Sequence, residues 1–232
     1  MIKYLPFVTF TIGYLFLELN RNYLVNEEKL FHFETSITKP FNLILLTVAK
    51  LMPIYCLILL RRSRKENLKG SSDYISNGLL LSSLGDFFLL SPVVGKNGLN
   101  FQLGLIFFAI AHLVYVLSFL KKLNFNLKTI LALIYTPIIL SYMLDQFTSF
   151  PDTFTKNAVY FYMTIIAIMH LTSTFHSFPV LLGSFVFIIS DSLIGLREFG
   201  GDSNILSSCG EEQVNFIIMV TYYLGQFGIS FA

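Results

Sequence analysis

The chain has 232 residues, 54% hydrophobic and only 13% charged, with 25 phenylalanines and a formal net charge of +2. Its mean hydropathy of +0.67 excludes an ordinary soluble domain and points to a polytopic membrane protein. No long basic surface interleaved with aromatics is present, so nucleic acid is not an expected partner, and the separated Cys56 and Cys209 form neither a metal spacing nor a disulfide framework.

A membrane span needs about 20 mostly apolar residues, and the chain offers eight such segments, at residues 4–19, 41–60, 75–91, 101–120, 127–144, 157–173, 178–196 and 213–231. The expected fold is therefore all-α, a single domain over residues 1–232 forming a polytopic membrane bundle of eight transmembrane helices. The first segment follows Lys3 and ends at Glu18 without a small-residue cleavage site, which reads as a retained helix rather than a signal peptide. Turn signals separate the segments at Asn20-Arg21-Asn22, Ser91-Pro92, Gly95 to Gly98, Phe150-Pro151-Asp152 and Gly200-Gly201-Asp202. The weakest break is Thr172 to Ser177. Without it, segments six and seven would merge into a span too long for one helix.

Orientation follows from lysine and arginine in the short connections. Arg61, Arg62, Arg64, Lys65 and Lys69 follow segment two, and Lys121, Lys122 and Lys128 follow segment four. With Lys3 they put nine basic residues on one side against six on the other, which places both termini in the cytoplasm. The inverted topology is the alternative. Asp86 and Asp191 each fall in the third span of a four-span half, so a fold of two parallel four-helix halves is a further expectation.

Those two aspartates are the most informative residues of the chain. A carboxylate near the bilayer centre costs roughly 2.5 kcal/mol or more, and such groups usually face a protein interior or a wet cavity. Each lies about 12 to 13 residues from the cytoplasmic end of its segment, or roughly 18 to 20 Å at 1.5 Å per residue, so the two share one depth. Lys50 in segment two and His112 in segment four fall near the same layer, and segment eight adds Tyr222, Tyr223 and Gln226. Asn215, Tyr222 and Gln226 share one helix face, as do Gly104, His112 and Tyr115. Plainer readings stand beside these. Lys50 either snorkels to an interface or forms a structural ion pair with the aspartates, and His112 with Tyr115 is a common interhelical hydrogen-bonding pattern. Ser82, Ser83 and Ser190 suit close packing better than nucleophilic attack. There is no Gly-x-Ser-x-Gly elbow, and the histidines lack HExxH or Cys/His spacing, so neither a serine hydrolase nor a metal site is expected.

Five blocks recur in order: Lys50-x-x-Pro53, Gly78-Leu79 through Ser83-x-Gly85-Asp86, Gly104 through Ala111-His112-x-x-Tyr115, Phe187-Ile188-Ile189-Ser190-Asp191, and Thr221-Tyr222-Tyr223-x-x-Gln226. Over about residues 45–230 they make the chain resemble the YhhN-like lysoplasmalogenase family of integral membrane proteins. The resemblance implies hydrolysis of the vinyl ether of lysoplasmalogens (lysoplasmenylethanolamine or lysoplasmenylcholine) to a fatty aldehyde and a glycerophospho head group, without cofactor. It implies Asp86 and Asp191 as the catalytic pair, with Lys50, His112, Tyr115, Ser190, Tyr222, Tyr223 and Gln226 binding substrate. Which aspartate holds the proton stays open, as does whether Lys50 pairs with an aspartate or holds the lipid phosphate. The expected partners are a lysophospholipid substrate and membrane lipid, and a homodimer is compatible with the reading. The expected location is a multi-pass protein of the endoplasmic reticulum, with a bacterial inner membrane as the alternative. Two rivals use the same residues. A proton-coupled or lipid transporter also employs intramembrane carboxylates. An intramembrane aspartyl protease would be suggested by Leu84-Gly85-Asp86, but Ser83 replaces the first glycine of its motif and no Pro-Ala-Leu follows Asp191.

Overall fold

The computed structural model describes residues 2–20, 38–65, 73–90, 99–201 and 205–232. The turn signals at Arg21-Asn22, Ser91-Pro92, Gly95 to Gly98 and Asp202, and the basic residues Lys29, Lys69 and Lys96, lie outside the described residues. The described residues are all-helical and form eight α-helices: α1 (Leu5–Leu19), α2 (Thr38–Lys65), α3 (Tyr74–Leu90), α4 (Leu99–Phe119), α5 (Leu127–Gln146), α6 (Thr153–Ser173), α7 (Phe178–Phe199) and α8 (Glu211–Ile229). Local chemistry sets several of their ends. Asn126 accepts from the backbone N–H of Lys128 at 2.9 Å and starts α5, and Asp152 accepts from the N–H of Thr155 at 2.8 Å and starts α6, each satisfying donors that a helix N-terminus leaves open. The expected break between segments six and seven is present: α6 ends at Ser173, and Pro179 opens α7 in its first turn, where a missing N–H costs nothing.

Among the described residues four helices are long and apolar enough to cross a membrane: the Ile44–Ser63 part of α2, α4 with its short extension to Lys122, α5 and α7. The expectation of eight such spans is corrected on this point. Helix α1 has 15 residues and α3 has 17, short of the roughly 20 that a straight crossing takes. Helices α6 and α8 have the length, but Thr155, Asn157, Tyr162 and His170 in the one and Glu211, Glu212, Gln213 and Asn215 in the other dilute their apolar character.

The helix ends nevertheless fall in two layers. In the first, Arg61 at the end of α2 donates from Nε to Asp73 Oδ1 before α3 at 2.8 Å and from Nη1 to the Ser230 carbonyl after α8 at 2.7 Å. Lys121 lies over the Tyr74 ring, Lys128 donates to the His176 carbonyl at 2.9 Å, and Tyr4 packs edge-on against Phe227. In the second layer, the N–H groups of Thr148 and Ser149 both reach the Phe199 carbonyl, at 2.9 and 3.0 Å. Successive helices thus run back and forth between the layers.

Helix α3 packs most extensively on α4, and α7 on α8. Small residues allow the close approach: a Cβ on Gly183 of α7 would lie 2.7 Å from the Cα of Gly228 of α8, and one on Gly104 of α4 would lie 3.3 Å from the Gly85 carbonyl of α3. Helix α7 is central, with 56% of its apolar window buried inside the protein, whereas α5 is a rim helix with 17%.

Candidate active site

Helices α2, α3, α6, α7 and α8 each turn a polar side chain into one buried layer. Asp86 and Asp191, 2% and 8% exposed, both line a cavity of about 230 Å³. Both oxygens of Asp86 are engaged. Lys50 Nζ lies 3.0 Å from Oδ1, and the Tyr222 hydroxyl donates to Oδ2 at 2.5 Å. Asp191 accepts the hydroxyl of Tyr162 from α6, and among the described residues no lysine or arginine is ion-paired with it. The two carboxylates therefore share a cavity but not a charge environment.

Lys50 is only 7% exposed, so it is held inside rather than snorkelling to an interface. Pro53 lacks the N–H that would bond the Ala49 carbonyl one turn back, and the Tyr223 hydroxyl donates to the adjacent Lys50 carbonyl at 2.7 Å, holding that turn against α8. Tyr223 in turn packs edge-on against Tyr14 of α1, and Tyr14 donates to Glu18 at 2.9 Å.

The remaining expected residues sit behind the cavity wall. His112 is fully buried in an aromatic box, edge-on to Phe187 at 4.8 Å between ring centroids and 5.5 Å from Tyr162, and among the described residues neither ring nitrogen has a hydrogen-bond partner. Tyr115 donates to Gln226 Oε1 at 2.8 Å. Ser190 donates to the Ile218 carbonyl at 3.0 Å and so ties α7 to α8. Of the nine residues expected from sequence, Asp86, Asp191, Lys50 and Tyr222 line the cavity; His112, Tyr115, Ser190, Tyr223 and Gln226 do not, and support it from behind.

Sequence reasoning missed three participants. Tyr162 lies nine residues into α6, the depth at which the other polar groups were sought, and extending the depth argument to that helix would have found it. Glu18 and Arg197, read as the end of a segment and as a loop charge, both line the cavity. Toward the layer that holds Gly200 the lining becomes charged, with Arg197, Glu198 and Glu211. On its other flank Asp191 also borders an apolar pocket built by Leu105, Phe108, Met163, Ile194 and Phe199. Asp191 thus stands where a polar cavity meets an apolar one.

The fold and site define an all-helical protein with helices of membrane-crossing length and a buried, unequal carboxylate pair facing an internal cavity. The family model of the YhhN family matches residues 37–232, and the chain belongs to that family. A relative from Dictyostelium discoideum, named as a lysoplasmalogenase homolog, is 29% identical over 196 residues, covering 68% of this chain and 61% of that protein. The chain thus spans about three fifths of the length of this relative. No solved structure matches. Helix α1 lies outside the matched residues, yet its Glu18 forms part of the cavity wall.

Proposed function

We propose that this protein is a multi-pass membrane hydrolase that cleaves the vinyl ether of lysoplasmalogens, and that all eight helices cross the bilayer, the shorter ones by local thinning of the lipid and the more polar ones by shielding among their neighbours. The observation that carries the reading is the unequal pair of carboxylates on one polar cavity, with Asp191 also bordering an apolar pocket. A lysoplasmalogen has that same division: a hydrocarbon chain, a reactive enol ether, then a polar head.

Asp86, its charge compensated by Lys50, is the ionised member. Asp191, with a phenol for a partner, carries the proton. Two carboxyl groups pushed into different states by their surroundings are the usual arrangement for acid and base work. In the reaction Asp191 gives its proton to the β-carbon of the enol ether as the double-bond pair forms the new C–H bond. The ether oxygen shares the resulting positive charge with the α-carbon, and the carboxylates stabilise this oxocarbenium ion, as in glycoside hydrolysis. Water then attacks the α-carbon and returns a proton to Asp191. The hemiacetal collapses with cleavage of the bond from the α-carbon to the glycerol oxygen, releasing a fatty aldehyde and a glycerophospho alcohol. Tyr162 and Tyr222 hold the two carboxylates in place, and His112, Tyr115 and Gln226 support the water and glycerol side of the cavity. The phenylalanine-rich, alanine-poor composition favours the endoplasmic reticulum as the host membrane.

The test uses purified Asp86→Asn and Asp191→Asn proteins in detergent, where no gradient can drive a carrier. Each is expected to release almost no aldehyde from lysoplasmalogen, whereas wild type releases it from the vinyl ether and not from the lysophosphatidyl or saturated alkyl-ether analogue. Near wild-type turnover in either variant would sink the proposal.

A further inference from the structure

Resting on the lysophospholipid reading above, we propose that Arg197 is the phosphate-binding residue of this cavity. Among the described residues two cations line it, Lys50 and Arg197. Lys50 is committed to Asp86 at 3.0 Å, which leaves Arg197 to meet a phosphodiester.

The guanidinium is held ready for that task. Its Nη1 donates to Asn215 of α8, a buried neutral side chain, and its Nε donates to Glu198 at 2.9 Å. The Glu198 pair is weakly held, because the two side chains are 35% and 40% exposed and such pairs contribute little. A phosphodiester can therefore take the place of Glu198 on the guanidinium fork, with which its oxygens match in two-point fashion. Glu198 is then available to the ammonium of an ethanolamine or choline head, just beyond the phosphorus.

The spacing along α7 fits the same ligand. Arg197 follows Asp191 by six residues, a rise of about 9 Å at 1.5 Å per residue. In a lysoplasmalogen the β-carbon that receives the proton is separated from phosphorus by about seven bonds, roughly 8 Å at the ~1.2 Å per bond of an extended chain. With the enol ether at Asp191, the phosphate reaches the guanidinium and the hydrocarbon chain is left on the side of the apolar pocket.

The experiment compares wild type, Arg197→Gln and Arg197→Lys, as full chains in detergent, on 1-O-alkenyl-glycerophosphoethanolamine and on 1-O-alkenylglycerol with the same chain. Loss of a charge-assisted hydrogen-bonded contact is expected to lower the phospholipid-to-alkenylglycerol ratio of kcat/KM about ten- to hundredfold in Arg197→Gln. Arg197→Lys falls between, since it keeps the charge and loses the fork. An unchanged ratio in Arg197→Gln overturns the assignment. A binding measurement separates this failure from failure of the hydrolase reading: the saturated 1-O-alkyl phospholipid is expected to raise the unfolding temperature of wild type more than 1-O-alkylglycerol does, and Arg197→Gln is expected to lose that difference. If wild type releases no aldehyde, the vinyl-ether reading fails while this measurement still decides the site. No phosphate-dependent shift in wild type, or an equal one in Arg197→Gln, overturns the assignment.

Discussion

Replacing Lys50 with methionine removes the ammonium that lies 3.0 Å from Asp86 and leaves a carboxylate that is 2% exposed, with the Tyr222 hydroxyl as its remaining partner among the described residues. Breaking one side of a buried ion pair costs about 3 to 5 kcal/mol, because the remaining charge is stranded in a poorly solvating interior. Asp86→Asn strands the ammonium instead and should cost about as much by the same argument. The double variant removes both charges, and since pairs replaced by neutral side chains of similar size are often tolerated, it should return to within about 1 kcal/mol of wild type. The coupling between the two sites is then about 5 kcal/mol or more and favourable to the pair. Unfolding of the four proteins in one detergent measures this cycle, with aldehyde release measured alongside. The double variant is expected to be stable and inactive. Two results would refute the reasoning: a Lys50→Met protein as stable as wild type, or single costs that simply add in the double variant.

His112→Phe should fit the aromatic box formed by Phe187, Tyr162, Phe108 and Tyr115 and remove two buried nitrogens that lack partners; stability is expected to stay level or rise by about 1 kcal/mol, while turnover falls if the imidazole orients water. A variant that unfolds at markedly lower temperature would show the ring nitrogens to be structurally engaged. Outside the spans, the N–H and then the hydroxyl of Thr155 hold the carboxyl of Asp152 below its ordinary value at the start of α6. Because the folded value is the lower one, the contribution is fully present above the unfolded value of about 3.9 and is lost as pH falls through the folded value. Asp152→Asn keeps a capping oxygen and should flatten this part of the unfolding profile below about pH 4; an identical profile would count against the assignment.

Apolar run length located all eight helices, because burial of backbone polar groups in an apolar medium leaves the helix as the economical choice. It did not distinguish helices that face lipid from those that face their neighbours. Helix α6 shows why: Tyr162 and His170 lie inside the protein while Phe161 is 68% exposed, so a window average blends the two faces. Depth counting brought Lys50, Asp86, Asp191 and Tyr222 to one layer correctly, since rise per residue is fixed in a helix. It could not divide the lining residues from those behind, because that division depends on rotation about each helix axis. Ser190 illustrates the limit, sharing the depth of Asp191 but turned toward the Ile218 carbonyl of α8. Arg197 was lost for another reason: as a charge at a helix end it resembles any solvated loop residue, and only the cavity that reaches it marks it out.

The difference between the two aspartates has a place in the order of the chain. In each case the helix before the aspartate supplies a partner: Lys50 of α2 for Asp86 of α3, and Tyr162 of α6 for Asp191 of α7. The preceding helix thus brings an ammonium to one aspartate and a phenol to the other. An ammonium in both places would favour two charged carboxylates and leave no acid. A phenol in both would place two uncompensated carboxyl groups around one cavity, where like charges oppose joint ionisation. Under the proposed vinyl-ether hydrolysis, one of each leaves a charged carboxylate and a proton donor on the same cavity, the combination that protonating an enol ether and stabilising the resulting cation together require.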